Sequence, residues 1–299
     1  MRAETERVAV IDVGSNSVRL LIAGRAGDSF FPIRTARVVT RLLEGLKDGV
    51  LNEQAIARTL HAIMVLSDEA RSMGVTNISG FGTSAMRDGF KNSGELIAKA
   101  AALGVQLTVM SGEEEAALAY AGASPTGSAG VIDIGGGSTE FMTGRDGKVL
   151  AAASAQMGAV RLKELSGGET DPEKLFARAR EALEPSARAA LKFPPTDGWA
   201  AVGGTFTALA AMEQRLDHYD ASKVQSFRLT AAAAFAWFTR LTGMTMEERL
   251  KIPGLIPDRA DIIHCGAAIA AACFDLIGAA YVAVSDRDNL LGYLKKTFS

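Results

Sequence analysis

The 299-residue chain has little net charge and very few cysteines. Its formal net charge is −2, so it lacks the general positive charge with which proteins hold nucleic acid through phosphate neutralisation alone. A local cluster of arginines could still bind a polyanion. The two cysteines, Cys265 and Cys273, lie eight residues apart in an apolar helical run, without a CxxC or a metal-ligand spacing. We therefore expect two reduced core thiols rather than a disulfide or a metal site.

Long uninterrupted apolar runs are also missing. Residues 1–7 carry charges of both signs, and no apolar segment precedes the first expected strand, so no signal peptide is indicated. The longest apolar region, residues 260–285, is interrupted by Asp261, His264 and Asp275. This pattern favours a buried helix followed by a strand over a membrane span. We expect a cytoplasmic protein with neither membrane nor nucleic-acid partners.

What the chain does have is glycine at the ends of expected strands. Residues 130–138 combine an apolar run, Asp133 and three successive glycines. Such a turn can bring bare backbone N–H groups against an anion. Residues 8–17 repeat the pattern Asp-x-Gly-x-x-Ser, with Asp12 in the place of Asp133. The two hairpins predict a duplicated domain that holds one phosphorylated ligand in the cleft between its copies.

Strands and helices alternate along both halves, which is typical of an α/β fold. The length fits about two domains, and residues 123–130 form the clearest linker by composition. We predict an N-terminal domain over residues 1–124, a C-terminal domain over residues 125–285 and a C-terminal helix over residues 286–299.

Local patterns predict several helix starts. Asn52 is expected to cap a helix with one apolar face, and Asp171 followed by Pro172 is a favoured start for another. Residues 111–114 read Ser-Gly-Glu-Glu, which is typical of a capping box. Residues 258–277 are predicted to form one long helix of small side chains.

Each candidate feature has an ordinary structural explanation when it is taken alone. Residues 14–16 could be a plain hairpin turn, and Gly203-Gly204 a plain strand-to-helix turn. Residues 113–115 could be acidic because they open a helix, and Arg19 and Arg87 could be solvated surface charges. The combination favours a site, because three strand ends each deliver a glycine turn, as parallel-sheet proteins do at ligand crevices.

The motifs together carry a family resemblance. They are Asp12-Val-Gly-Ser-Asn-Ser17, Gly82-Thr-Ser-Ala-Met-Arg87, Ser111-Gly-Glu-Glu-Glu-Ala116, Asp133-Ile-Gly-Gly-Gly-Ser-Thr-Glu140, Met157-Gly158 and Gly203-Gly-Thr205. In this order and spacing, nearly the whole chain resembles the exopolyphosphatase / guanosine pentaphosphate phosphohydrolase family. That family belongs to the actin, heat-shock chaperone and sugar kinase superfamily. The resemblance implies two ribonuclease H-like domains with an interdomain cleft, and a C-terminal helix over residues 286–299 that joins the N-terminal domain. It also implies removal of the terminal phosphate from a linear phosphoanhydride with Mg²⁺. Mn²⁺ and a monovalent cation are further candidate cofactors.

The resemblance also implies a role for each matching residue. Glu115 is the general base that would accept the proton of an attacking water, and Arg87 would contact phosphate in the catalytic site. Asp133, Glu140 and Asp12 would hold the metal, since hard cations prefer carboxylate oxygen. The remaining implied phosphate contacts are Ser15, Asn16, Ser17, Arg19, Gly135, Gly136, Gly137, Ser138, Gly203, Gly204, Thr205 and Arg259.

One segment departs from the family. Where the family usually reads Gly-Leu-Arg-Glu-Gly, this chain reads Asp286-Arg-Asp-Asn-Leu-Leu-Gly292, so the arginine of that segment is not carried over. The sequence ends at Ser299, and we expect a short form without the C-terminal helical domains of long family members. A homodimer is compatible with the family but does not follow from the residues.

Four functions follow as hypotheses. The first is a Mg²⁺-dependent exopolyphosphatase acting on inorganic polyphosphate, and the second converts guanosine pentaphosphate to the tetraphosphate. Glycine turns contact phosphates and not bases, so only the low aromatic content, 6%, favours polyphosphate. An ATP-dependent sugar or acetate kinase should carry an aspartate base for a substrate hydroxyl. A phosphate-binding sensor or filament-forming relative would not need Glu115, Arg87 and Asp133 together. Mg²⁺-stimulated hydrolysis without an acceptor would separate the hydrolases from the kinase.

Overall fold

A computed structural model describes residues 6–27, 29–87, 90–123, 125–167, 169, 171–287 and 289–298. The chain divides into two compact units, Met1–Ser111 with Leu290–Ser299, and Gly112–Asn289. The division falls before Gly112, whereas the expected linker lay at residues 123–130. Parts of the expected domains and linker lie outside the described residues. These parts are residues 1–5, Ser124, Asp288 and Ser299.

The helices and strands alternate as an α/β chain requires. In chain order they are β1 (Glu6–Val13), β2 (Ser17–Ala26), β3 (Ser29–Val39), α1 (Glu53–Ser72), β4 (Asn77–Gly82), α2 (Ser84–Arg87), α3 (Ser93–Ala102), β5 (Gln106–Val109), α4 (Gly112–Ala123), β6 (Ser128–Ile134), β7 (Thr139–Arg145), β8 (Lys148–Ala155), α5 (Ala159–Ser166), α6 (Pro172–Ala190), β9 (Trp199–Val202), α7 (Gly204–Glu213), α8 (Ala221–Val224), β10 (Arg228–Thr230), α9 (Ala231–Thr242), α10 (Met246–Arg249), α11 (Ile263–Ile277), β11 (Tyr281–Val284) and α12 (Asn289–Phe298). A short 3-10 turn, Pro257–Arg259, precedes α11.

The first unit contains a five-stranded mixed sheet in the order β3-β2-β1-β4-β5. The first three strands are antiparallel, and β4 and β5 extend the sheet in parallel from β1. The predicted hairpin of β1 and β2 is therefore confirmed. Asn52 caps α1 as expected, because its side chain accepts hydrogen bonds from the backbone N–H groups of Gln54 and Ala55.

The second unit repeats this arrangement. Its sheet has six strands in the order β10-β11-β9-β6-β7-β8. Strands β6, β7 and β8 are antiparallel, while β9 and β11 continue in parallel from β6. Five of the six strands thus repeat the order and directions of the first sheet, with β10 added at the edge. The predicted α/β fold with two ribonuclease H-like units is confirmed.

One helix cap in the second unit, that of α6, agrees with the sequence prediction. The side chain of Asp171 accepts from the N–H of Glu173 at 2.9 Å, and Pro172 occupies the first position of α6. This confirms the expected start. Proline is favoured at the first helical position because the N–H that it lacks would have no carbonyl partner within the helix there. The capping box expected at residues 111–114 stays a prediction.

The helix predicted over residues 258–277 is wrong in its first part. A 3-10 turn covers Pro257–Arg259, and α11 begins only at Ile263. The carbonyl of Ala260 accepts from Nη1 of Arg249 at 3.4 Å, and the N–H of Ile262 donates to the carbonyl of Arg259, three residues back. These bonds hold the segment in tight turns, so helical hydrogen bonding starts after it.

Helix α11 lies in the core of the second unit and carries both cysteines. Residues 267–273 are fully buried, and their small side chains allow the neighbouring helices α6 and α9 to pack closely. Cys265 and Cys273 are free and buried, as expected, and burial raises the pKa of the Cys265 thiol to about 12. Among the described helices, none is long and apolar enough to cross a membrane. Cytoplasmic localisation stays a prediction.

Candidate active site

Asp12 and Arg19 face each other across the first hairpin and form an ion pair. They are directly opposite in the register of β1 and β2, and Nε of Arg19 donates to Oδ2 of Asp12 at 2.9 Å. Nη2 of Arg19 donates to the same oxygen. Asp12 is buried, whereas 25% of the Arg19 side chain is exposed. The carboxylate therefore orients a partly exposed guanidinium, the group that binds phosphate most specifically. A metal role for Asp12 stays a prediction.

The turn of the first hairpin carries the buried side chain of Asn16. The N–H of Gly14 donates to the carbonyl of Ser17 at 3.1 Å and closes the turn. The carbonyl of Asn16 accepts from the N–H groups of Thr40 and Arg41, at 3.0 and 2.9 Å. Neither Nδ2 nor Oδ1 of Asn16 has a hydrogen-bond partner among the described residues. Because buried amides are normally paired, Asn16 is a good candidate for a ligand contact.

Two residues in contact with this turn were not among the predicted site residues. Arg41 adopts a left-handed φ of 47° beside Asn16, a conformation that costs a non-glycine residue about 1 kcal/mol or more. Ser84 lies within hydrogen-bonding distance of Ser15, with their hydroxyl oxygens 3.1 Å apart. No glycine or repeated motif marks Arg41, so sequence spacing alone could not find it.

Arg87 ends the short helix α2 and is anchored by the neighbouring strand. The backbone N–H groups of Met86 and Arg87 donate to the carbonyl of Thr83, at 2.9 and 3.1 Å. Nη1 of Arg87 donates to the carbonyl of Met110 at 3.0 Å. A guanidinium has five N–H donors in a rigid fork, so this bond fixes the direction of the others. The anchoring is consistent with an arginine prepared for an anion.

In the second hairpin two acidic residues face each other, whereas in the first hairpin an acidic residue faces an arginine. Asp133 is opposite Glu140 in the register of β6 and β7, as Asp12 is opposite Arg19. Glu140 is fully buried. Its Oε1 accepts from the hydroxyl of Ser154 at 2.7 Å, and Oε2 has no hydrogen-bond partner in the described part of the chain. An unpaired buried carboxylate oxygen is costly unless something else binds it.

Glu115 joins this pair from the first turn of α4. The side chain is almost completely buried, at 6% exposure. Burial raises the pKa of Glu140 well above its ordinary value of 4.5, and the negative charges of Glu115 and Asp133 raise it further. The hydrogen bond from Ser154 acts in the opposite direction, as does the nearby hydroxyl of Ser138. The structure thus brings the expected base and two expected metal ligands together, and we call Glu115, Asp133 and Glu140 the carboxylate cluster.

The carboxylate cluster fits a hard cation by its donor atoms. Carboxylate oxygens are the ligands that Mg²⁺ prefers, and Oε2 of Glu140 is buried without a protein donor among the described residues. Among the described residues, no group of three or more His, Cys, Asp or Glu side chains could hold a metal ion by itself. An open arrangement of this kind suits Mg²⁺, which keeps several waters and binds through one or two carboxylates plus substrate phosphates.

The glycine turn after β6 is held by the start of α5. The carbonyl oxygens of residues 135–137 accept hydrogen bonds of 2.8 to 3.0 Å from the backbone of residues 159–161 and from Nε of Arg161. A Cβ on Gly158 would lie 2.5 Å from the carbonyl carbon of Gly136, which explains the Met-Gly motif, since only glycine allows this approach. Because the carbonyls are bound on one side, the peptide groups of the turn are fixed as an anion-binding turn requires.

Helix α7 starts beside Asp133. Gly203 has a φ of 89°, and a Cβ on it would lie 2.5 Å from Oδ1 of Asp133, so glycine is required at this position. No side chain caps α7 within the described residues, which leaves its N-terminal N–H groups suited to an anion. A Cβ on Gly204 would overlap the guanidinium of Arg259. Arg259 therefore lies directly against the first residue of α7.

The turn that carries Arg259 is braced by buried and partly buried charges. Nη1 of Arg249 donates to Nδ1 of His264 at 2.9 Å. Burial and the charge of Arg249 lower the pKa of His264 to about 4, so the ring is neutral and can accept this bond. Nζ of Lys163 contacts Oδ2 of Asp261 at 2.8 Å and connects α5 to the turn. Sequence spacing gave no signal for these pairs, which join different elements.

The expected site residues form two groups, one in each unit. In the first unit the group contains Asp12, Ser15, Asn16, Ser17, Arg19 and Arg87. In the second unit it contains Glu115, Asp133, Gly135, Gly136, Gly137, Ser138, Glu140, Gly203, Gly204, Thr205 and Arg259. Each group has direct contacts of its own, Asp12 with Arg19 in the first and Gly204 against Arg259 in the second.

Comparison with known proteins gives a consistent result. The model of the Ppx/GppA phosphatase family matches residues 5–288. Exopolyphosphatase 2 of Mycobacterium tuberculosis is 36% identical over 284 residues, which cover 88% of this chain and 88% of that protein. The crystal structure of an exopolyphosphatase from Cytophaga hutchinsonii has a TM-score of 0.86 at 26% identity, covering 97% of this chain and 96% of its own. A Ppx/GppA family member from Aquifex aeolicus has a TM-score of 0.80 at 28% identity, covering 99% and 98%.

Three observations agree with one another: the motifs of the two hairpins, the repeated sheets, and the family match over nearly the full chain. The match includes both groups of candidate residues, from Asp12 to Arg259. The expected resemblance and the expected enzyme class, a phosphoanhydride hydrolase, are thereby confirmed. The chain belongs to the Ppx/GppA phosphatase family.

Proposed function

We propose that this enzyme is an exopolyphosphatase that releases terminal orthophosphate from inorganic polyphosphate with Mg²⁺. The observation that carries the proposal is the carboxylate cluster, in which burial and the charges of Glu115 and Asp133 raise the pKa of Glu140. The name of the M. tuberculosis relative, exopolyphosphatase 2, supports the choice of substrate.

In this proposal Asp133 and Glu140 hold the metal and Glu115 accepts the proton of the attacking water. A bound Mg²⁺, or Mn²⁺ in its place, would supply positive charge to the phosphate oxygens. The buried position of Glu115 supports its role, because a partly desolvated carboxylate is a better proton acceptor. The pKa of Glu140 is raised well above 4.5, so a cation there would stabilise its ionised form.

The arginines and amides bind the phosphate chain in this proposal. Arg19 is oriented by Asp12 and Arg87 by the carbonyl of Met110, so each guanidinium loses little conformational entropy when it contacts a phosphate. Asn16 supplies a buried amide. Phosphoryl transfer depends mainly on positioning and on charge stabilisation, which these groups would provide.

The general-base assignment is tested by Glu115→Gln. The variant keeps the shape of the side chain but cannot accept the proton, so phosphate release should fall by about a hundredfold or more, while tripolyphosphate still binds. Glu113→Gln is the matched control, because Glu113 lies in the same helical turn but is exposed. Near-normal release by Glu115→Gln in a malachite-green phosphate assay would contradict the assignment.

Guanosine pentaphosphate is the alternative substrate, and one observation favours it. Tyr219, 41% exposed, lies close enough to Arg259 for the charge of Arg259 to affect its pKa, so an aromatic ring is present near a candidate phosphate contact. Parallel assays on long polyphosphate, tripolyphosphate, guanosine pentaphosphate and ATP, with and without Mg²⁺, decide between the substrates. Faster release from guanosine pentaphosphate than from polyphosphate would overturn the preferred assignment.

A further inference from the structure

Arg161, in the first turn of α5, binds the glycine turn that follows β6. Its Nε donates to the carbonyl of Gly137 at 2.8 Å. The backbone N–H of the same residue donates to the carbonyl of Gly136 at 3.0 Å. One residue of α5 therefore holds two successive carbonyls of the turn, one through its backbone and the other through its side chain.

The three carbonyls of the turn differ in the kind of donor that holds them. Those of Gly135 and Gly136 accept from the backbone N–H groups of residues 159–161. Among the described residues, the carbonyl of Gly137 accepts from the side chain of Arg161 and from no backbone N–H. A substitution of Arg161 can therefore loosen this one peptide group while the backbone hydrogen bonds of the turn remain.

The direction of the Gly137 carbonyl determines where the next N–H points. A trans peptide group is planar, so its C=O and its N–H point in opposite directions. The bond to Arg161 thus turns the N–H of Ser138 away from the guanidinium. Ser138 is 2% exposed, and within the described part of the chain its N–H donates to no backbone carbonyl. Because buried N–H groups are normally paired, this N–H is a donor suited to a ligand oxygen.

We propose that Arg161 is a positioning residue, whose bond to the carbonyl of Gly137 directs the N–H of Ser138 towards a phosphate oxygen of the substrate. This inference rests on the proposed function, in which backbone amides help to bind the phosphate chain. The guanidinium acts through the peptide group and not by contact with the substrate. A peptide group that is already fixed loses less conformational freedom when phosphate binds.

The test compares Arg161→Gln with Arg161→Met. Nε2 of glutamine follows Cδ, as Nε of arginine does, so glutamine keeps an N–H donor at the same place in the side chain without the charge. Methionine has a similar reach and no N–H donor. Calorimetric titration with tripolyphosphate, without Mg²⁺, is done at about 150 mM salt, which screens long-range attraction. The Kd should stay within about twofold of the wild type for Arg161→Gln and weaken about three- to tenfold for Arg161→Met.

Two outcomes of this comparison would overturn the proposal. Equally weak binding by both variants would show that the charge of Arg161 itself acts on the phosphate. Wild-type binding by both variants would show that the bond to Gly137 has no effect on the ligand.

The amide proton of Ser138 reports the positioning by a separate signal. A hydrogen bond to phosphate should move its NMR resonance downfield when tripolyphosphate is added to the wild type and to Arg161→Gln, and less in Arg161→Met. A shift of the same size in Arg161→Met would contradict the positioning role. If Arg161→Met does not fold, Arg161→Gln decides: loss of the downfield shift in that variant would overturn the proposal.

The matched control is Arg178→Met. Nη1 of Arg178, on α6, donates to the carbonyl of Leu165, near the other end of α5. The same substitution there removes a bond to a carbonyl of the same helix, away from the glycine turn, so the Kd for tripolyphosphate should equal that of the wild type. Both methionine variants should unfold within about 4 °C of the wild type. A loss of thermal stability in Arg161→Met with unchanged affinity would show a structural role only, and would overturn the proposal.

Binding without turnover separates this inference from the proposed function. Phosphate release by the wild type, together with a Kd that Arg161→Met leaves unchanged, would overturn the positioning role alone. A wild-type protein that binds tripolyphosphate but releases phosphate from no substrate would overturn the proposed function alone. Absence of tripolyphosphate binding by the wild type would overturn both.

Discussion

Asp12 and Asp133 occupy the same place in two copies of one hairpin, but they face side chains of opposite charge. Asp12 is neutralised by Arg19, whereas Asp133 and Glu115 both add negative charge beside the buried Glu140. The pKa of Glu140 is raised above 4.5 in the folded protein, so the unfolded chain loses this proton at lower pH than the folded protein does. Without a cation, the stability contributed by Glu140 therefore falls as the pH rises above about 4.5 towards the folded pKa.

Glu140→Gln should remove this loss of stability with rising pH. Glutamine can still accept the hydrogen bond from Ser154 but carries no charge, so the metal-free variant should unfold at a higher temperature than the wild type at about pH 7 and show a weaker pH dependence. Mg²⁺ should raise the unfolding temperature of the wild type and not of the variant. Thermal unfolding at several pH values, with Glu113→Gln as control, measures both effects. An equal Mg²⁺ response in wild type and Glu140→Gln would contradict a metal role for Glu140.

At the residue scale, the sequence located buried carboxylates where a local motif marks them, and their roles stay predictions. Asp133 and Glu140 are found by the glycine turn between them, and Glu115 by its motif. Tyr219 could not be found in this way, because Asp286, which accepts a hydrogen bond from its hydroxyl, is 67 positions away and no pattern links the two. The low content of aromatic residues even suggested that none lay near a phosphate contact.

At the scale of elements, the two glycines at the start of α7 have different reasons to be glycine. Gly203 has a φ of 89°, and its Cβ would approach Asp133 and the backbone of Ile134. Gly204 has an ordinary φ, and the atoms nearest to its Cβ would be those of the flexible end of Arg259. The first requirement concerns folding, whereas the second concerns the placement of a side chain.

The two alanine variants should therefore separate stability from binding. Gly203→Ala should cost about 1–3 kcal/mol of unfolding free energy, from strain and from the close backbone contact. Gly204→Ala should change stability by less than about 1 kcal/mol, since alanine favours a helix, but should displace Arg259 and weaken tripolyphosphate binding. Urea unfolding and calorimetry measure the two quantities. Tight binding by a stable Gly204→Ala protein would show that the position of Arg259 is unimportant.

The boundaries of the helices show where the local sequence is sufficient to predict a helix start. Asn52 and Asp171 each start a helix as expected, because the capping hydrogen bond is made within two residues. Residues 258–262 were expected to be helical as the start of the long helix of small side chains. The turn there depends on Arg249, which binds the carbonyl of Ala260 from another helix, and such a contact has no local signature.

At the scale of the whole molecule, the first unit is built from both ends of the chain. Leu290–Ser299 belongs to it together with Met1–Ser111. The ring of Tyr293 on α12 lies 4.6 Å from that of Phe81 on β4, and its hydroxyl is 3.1 Å from that of Ser79. This association was expected only from the family resemblance, because nothing in the composition of the last helix indicates which sheet it covers.

Tyr293→Ala should loosen the first unit selectively. The variant loses the aromatic contact with Phe81 and leaves a cavity, which costs about 3–5 kcal/mol for an aromatic side chain. Tyr293→Phe loses only the hydrogen bonds and should cost about 0.5–1.5 kcal/mol. Hydrogen exchange followed by mass spectrometry should show faster exchange in β1 and β4 of Tyr293→Ala, with β6 and β9 unchanged. Equal acceleration in both units would show that they unfold as one.

The reversed charge in the repeated hairpins also has an evolutionary consequence. A repeated sheet order within one chain indicates that a single gene once encoded one such unit. While only one copy existed, positions 19 and 140 were the same codon and had to carry the same charge. Duplication released this constraint, so one descendant could become an arginine and the other a glutamate. In the proposed function the arginine would attract an anion directly and the glutamate would attract it through a cation. The two roles proposed for Arg19 and Glu140 therefore require two separate copies of the hairpin.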